Sequence, residues 1–119
     1  MTEPQAHLYR WQDLESDQVS PTIARRKIMA ERVTLAQFQL QAGALVASHA
    51  HEHEQLTYIE EGLLRLWLGS DEAQVCEVGA GEVVHIPSNL RHRAEAIETT
   101  RAIDVFCPPR EDWLDVAAS

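Results

Sequence analysis

From Val33 onward, apolar residues recur at every second position in short runs, and no window of about eleven residues sustains the repeat of an amphipathic helix. Val33 to Leu40 puts Ala36, Phe38 and Leu40 on one face. Leu63 to Leu68 sets Leu64, Leu66 and Leu68 against Arg65 and Trp67, and Glu82 to Ile86 and Arg101 to Cys107 read as further strands. Turn formers punctuate these runs. Glu61-Gly62 and Gly69-Ser70-Asp71 fit hairpin turns, Gly79-Ala80-Gly81 a tight loop, and Pro87-Ser88-Asn89 a β-turn whose proline pre-sets the backbone. Strands at a spacing of roughly 8 to 12 residues predict an all-β sandwich or small barrel.

The first twenty residues are less regular, yet Leu8, Tyr9 and Trp11 are large apolar groups that a disordered tail rarely carries. The expectation is an N-terminal arm over residues 1–20, docking on the barrel or on a dimer partner, followed by one domain over 21–119. Pro108-Pro109 stops the last strand, and Arg110 to Leu114 has room for a single helical turn.

With 119 residues, 45% of them hydrophobic, the chain can build one core without cross-links. Its 19 acidic against 10 basic side chains, a formal charge of -9, have the wrong sign for a nucleic-acid partner. Charges at Glu3, Arg10, Asp13, Glu15 and Asp17 leave no apolar stretch for a signal peptide, and the longest apolar run, Ala42 to Ala47, is far too short to span a membrane. A cytoplasmic protein without membrane contact is expected. Cys76 and Cys107 have no CxxC spacing and read as partly buried packing thiols.

Candidate chemistry concentrates in the histidines. His49, His51 and His53 alternate, and His92 follows about forty residues later. On a regular strand His49 and His51 aim at a common point, with Gln55 on the same side. Two imidazoles from one strand and a third from a neighbour make a half-shell with coordination positions left open for catalysis. The blander alternative is a solvated strand end, His49 to Glu54, that binds metal only adventitiously. His7 and His85 stand alone, as surface or hydrogen-bonded histidines usually do.

The pattern around the cluster resembles the two motifs of the cupin superfamily. Gly43, His49, His51, Gln55 and Gly62 fall at the spacings of the first motif, with glutamine in place of its glutamate. Gly81, Pro87 and His92 fit the second, where Asn89 replaces a glycine and Ala96 an asparagine. Asn89 is a mild exchange, because asparagine tolerates the left-handed backbone of such a turn. The resemblance implies a cupin jelly-roll barrel, a double-stranded β-helix, in which His49, His51, Gln55 and His92 hold one divalent transition metal ion. Nickel, zinc, iron and manganese all suit such a donor set. His53 matches no ligand position and is left to replace Gln55, to face the substrate or to be solvated. With glutamine as the fourth ligand every donor is neutral, so the ion keeps its full charge and favours an anionic ligand and Lewis-acid chemistry.

Asp104 and Phe106 alternate on one face of the last strand, shortly before Arg110. In the bland version Asp104 pairs with an arginine and Arg110 caps the barrel with a salt bridge. In the functional version Asp104 is an acid or base, Phe106 a wall for a sugar ring, and Arg110 a two-pronged clamp for a carboxylate. Together with His49 to Gln55 and Ile86 to Asn89, this segment is similar to the pectin-degradation cupin family KdgF, over about Val33 to Leu114. That likeness implies ring opening and ketonisation of 4,5-unsaturated monouronates from pectin or alginate, with Asp104 and Arg110 catalytic and Phe106 and Arg110 holding a small anionic sugar acid. Alternative readings are a mononuclear metal dioxygenase or lyase, and a sugar-acid-binding cupin without turnover. The arm and the unpaired edges of a small jelly roll predict a homodimer.

Overall fold

The computed structural model describes residues 3–118, with side chains through Leu114, so Met1, Thr2 and Ser119 lie outside the described residues. Its strands are β1 (Asp17–Ser20), β2 (Ile23–Met29), β3 (Thr34–Leu40), β4 (Leu45–His49), β5 (Glu54–Glu61), β6 (Leu63–Leu68), β7 (Gln74–Gly79), β8 (Val83–Ile86), β9 (His92–Ala96) and β10 (Thr100–Cys107). They form two antiparallel sheets, a six-stranded one in the order β1-β2-β3-β10-β5-β8 and a four-stranded one in the order β4-β9-β6-β7. This is the expected all-β jelly roll, in one domain.

Period-two alternation builds the core. On β6, Leu64, Leu66 and Leu68 are buried, while Arg65 and Trp67 face outward, where Arg65 pairs with Glu77 and the Arg93 guanidinium lies 3.7 Å from the Trp67 ring centre. Each such buried leucine contributes roughly 1.5–3 kcal/mol. Ile59, Leu40, Ile23, Val78 and Ala96 belong to the same cluster. Along β10 the inward residues change from Thr100 and Ala102 to Asp104 and Phe106, and along β5 from Ile59 to Thr57 and Gln55, which pair strand to strand with them. One end of the barrel interior is therefore mostly apolar, and the other carries the polar Gln55, Thr57 and Asp104 beside Phe106. Small inward residues, Ala36, Ala94 and Ala102, leave the space between the sheets partly unfilled.

Within the N-terminal segment, residues 17–20 form β1, which pairs with β2 at the edge of the six-stranded sheet. Leu8 and Tyr9 are exposed by 79% and 50% and make no barrel core, and only Trp11, in a 3-10 turn at Trp11–Asp13, is half-buried. Cys107 is also exposed rather than packed, because Phe106 takes the inward position at the end of β10; Cys76 is half-buried as expected. The turn foreseen at Arg110 to Leu114 is a longer 3-10 helix, Glu111–Ala118. Among the described residues no helix is long and apolar enough to cross a membrane.

Gly62 carries the β5–β6 turn with φ +102°, and a Cβ there would lie 2.5 Å from Thr100 Oγ1 and 2.7 Å from Thr100 Cα. Gly62→Ala combines left-handed strain with a clash against backbone, so a loss of about 3 kcal/mol in stability is expected by denaturant unfolding. An unchanged midpoint would mean that the turn relaxes freely.

Candidate functional site

The histidines do not share a strand. β4 ends at His49, the chain bends through residues 50–53, and Gln55 lies on β5 in the other sheet. His92 opens β9 and pairs with His49 across the β4–β9 ladder. Crossing from sheet to sheet still brings ligand nitrogens of His49, His51 and His92 within 4.8 Å of one another. The connection is pinned by the Asn89 amide, which donates to the His51 carbonyl at 2.8 Å, and Asn89 adopts the left-handed φ of 67° that its sequence position foretold.

Each ring is set in the same way. Nδ1 of His49, His51 and His92 lies 2.8, 2.9 and 2.8 Å from the carbonyl oxygens of Ala47, His53 and Leu90. A carbonyl only accepts, so each Nδ1 carries the proton and each Nε2 presents a lone pair. His51 Nε2 is buried and has no partner among the described residues, which an ion in the cluster would supply. Burial, with the Arg110 charge adding to it, holds the His51 pKa down at about 4 and lowers that of His92. Neutral imidazoles at neutral pH are what metal ligation requires. The residues present therefore fit a divalent ion.

Gln55 is buried and turns its amide nitrogen toward Thr57 Oγ1 at 2.9 Å and Asp104 Oδ2 at 3.4 Å. Its carbonyl oxygen is the atom left to offer a cation. Asp104 is buried with Oδ1 unpartnered, and burial pushes its pKa up to about 7, against the opposing pull of the Thr57 hydroxyl and the Arg110 charge. Near neutrality this carboxyl can both give and take a proton.

Phe106 is buried edge-on to His51 at 5.9 Å and to Trp113 at 5.2 Å between ring centres. The Arg110 guanidinium lies 4.8 Å from the Phe106 centre and 4.6 Å from that of Trp113. Its fork is already filled, since Nε and Nη2 donate to the two oxygens of Asp112 at 3.1 and 2.8 Å. The expected two-pronged clamp on a ligand is thus engaged within the protein, and Arg110 lines the cavity with its charge. His53 is buried, with Nε2 3.9 Å from Asp112 Oδ1, so it is not solvated and stands outside the three-histidine cluster.

His49, His92, Gln55, Asp104, Phe106 and Arg110 line one cavity of about 310 Å³, at the lower end of the usual range for small-molecule sites. Sequence reasoning missed three of its neighbours. Thr57 was legible from the alternation Gln55, Thr57, Ile59. Trp113 carried no periodic signal because it reaches the barrel from the 3-10 helix, and Arg25 was hidden in a strand that reads as charged.

The Cupin domain family matches residues 36–106. Among solved structures, KdgF from Halomonas sp. superposes with a TM-score of 0.82 at 24% identity, over 90% of this chain and 99% of that one. An RmlC-like cupin from Shewanella frigidimarina NCIMB 400 gives 0.82 at 23% identity, over 92% and 96%. A variant of Bacillus subtilis oxalate decarboxylase gives 0.78 at 19% identity, over 90% of this chain and 31% of that one. At these identities the likeness is one of fold. No curated protein matches the sequence.

Proposed function

We propose that this chain, which belongs to the cupin domain family, opens and ketonises 4,5-unsaturated monouronates of pectin or alginate origin with the help of one divalent metal ion. The observation that carries the reading is the buried Asp104, which accepts a hydrogen bond from Gln55 and lines one cavity with His49 and His92. Likeness in fold to KdgF from Halomonas sp. supports it.

The reaction asks for proton traffic. In a 4,5-unsaturated uronate the ring oxygen belongs both to a hemiacetal and to an enol ether. Opening breaks the bond between C1 and the ring oxygen as the anomeric hydroxyl loses its proton, which leaves an aldehyde and an enolate. A proton delivered to C4 turns the enolate into a ketone, so the change is an isomerisation with no net gain or loss of atoms. Asp104 can accept the first proton and return one to carbon. A divalent ion bound by His49, His51, His92 and Gln55 would supply Lewis-acid polarisation of substrate oxygens there. Phe106 offers an apolar wall, and the Arg110 charge favours an anion near the developing enolate.

The test is loss of the enol-ether absorbance with unsaturated monogalacturonate and monoguluronate, before and after chelation. Metal-dependent loss with either sugar is expected, and none with the metal-loaded protein refutes the reading. Oxalate in the same protein addresses the lyase chemistry named by the decarboxylase match, and uronate binding without absorbance loss would mark a binding protein. Gln55→Glu is expected to keep its metal yet slow turnover at least ~10-fold, because a second carboxylate beside Asp104 raises its pKa further and repels an anionic substrate. Elemental analysis with steady-state kinetics checks both halves, and a faster enzyme contradicts the argument.

A further inference from the structure

Arg25 lines the cavity but has no part in holding the metal ion or in the ring opening. It projects inward from β2, three strands from Gln55 in the six-stranded sheet, is 5% exposed, and reaches the same cavity as His49, His92 and Asp104. A buried guanidinium normally fills its donors, because an unpaired buried charge is costly. Arg25 does not. Its Nε has no hydrogen-bond partner among the described residues, and Nη2 makes one long contact, 3.5 Å, with Asp17 Oδ2. Lys27 takes that same oxygen at 2.5 Å, so the carboxylate is shared. The face of Trp113, 4.0 Å from the guanidinium carbon, steadies the charge but accepts no fork.

Arg110, over the same ring, is the opposite case, with its fork filled by Asp112. We infer that Arg25, rather than Arg110, is the residue that grips the carboxylate of the sugar acid, with Trp113 holding its guanidinium in the plane the fork needs. The inference takes the uronate class from the proposed function and uses no step of the ring opening. A planar guanidinium matches a carboxylate at two points, which a neutral sugar cannot exploit. The cavity would thus select a uronate over the corresponding neutral hexose.

The experiment uses the metal-loaded full chain, with galacturonate and galactose as probes that differ in one carboxylate, and calorimetry as the readout. Wild-type protein is expected to bind galacturonate more tightly. Arg25→Met should weaken galacturonate by about 10- to 100-fold while leaving galactose within about twofold, the scale of losing charge-assisted hydrogen bonds. Elemental analysis and thermal unfolding confirm that this variant keeps its metal and fold. If it does not fold, Arg25→Lys decides, since a point charge without the fork should still lose about fivefold or more of the preference. A folded variant with the wild-type preference, or a wild-type protein without any preference, overturns the inference and leaves Arg25 a packing residue on Trp113. Discrimination by the wild-type protein that depends on Arg25, without turnover of unsaturated uronate, would sink the ring-opening reading while sparing this one. Turnover whose Michaelis constant ignores Arg25→Met would do the reverse.

Discussion

Substituting His51 or His92 by alanine is expected to remove nearly all bound metal and with it any metal-dependent turnover. The three Nε2 lone pairs converge from a strand end, a bend and a second strand, so two remaining imidazoles cannot close the site. Loss of one imidazole should weaken binding at least as much as the 10- to 100-fold typical of removing a mere orienting partner. The metal-free fold should tolerate the change at His51. Its ring contributes a single hydrogen bond, to the His53 carbonyl, while its buried Nε2 lacks a partner, a cost the alanine removes. Elemental analysis beside thermal unfolding in chelator separates the two effects. Full occupancy in both variants would rule out this cluster as the metal centre, and a collapsed fold with His51→Ala would make the ring a structural element.

How much of this was legible in the sequence follows from the physics of each element. β5 and β9 alternate but were hidden by inward Gln55, Thr57 and His92, whereas β3, β6, β8 and β10 declared themselves, because alternation of apolar residues is the direct consequence of one buried and one solvated face. β2 did not, since its inward positions hold Arg25 and Lys27 beside Ile23, and charges at inward positions erase the pattern. The convergence of His49, His51 and His92 was legible from motif spacing, but the reason offered for it, one continuous strand, was not the one observed. A bend between the sheets does the work, and bends leave no periodicity to read. Asp104 and Phe106 were legible together because a period of two fixes their common face. The engagement of Arg110 was not, since Asp112 sits two residues away on an irregular turn whose side-chain directions depend on tertiary packing. The filled fork of Arg110 and the unfilled one of Arg25 are facts of the assembled barrel alone.

Asp104→Asn is expected to lower turnover of an unsaturated monouronate by about 100-fold or more, the usual loss when a general acid or base is removed. The amide keeps the size and much of the hydrogen bonding of the carboxyl, so the Michaelis constant should move by no more than a few-fold. The same substitution should make the metal-free protein more stable at alkaline pH, and the sign can be worked out. Burial raises the folded pKa of Asp104 to about 7, above the 3.8 of an ordinary aspartate. Folded wild-type protein therefore holds a proton that the unfolded chain has released across that interval, and stability falls as pH rises through it. Asparagine carries no such liability. The variant should unfold at a higher temperature than wild type at about pH 8, with the gap closing as pH falls toward about 4. Wild-type protein that is instead the more stable at about pH 8 would show Asp104 to be an ionised structural carboxylate held by Arg110. Such a group sits permanently charged in its pocket, and the proton that ring opening requires would have to come from elsewhere.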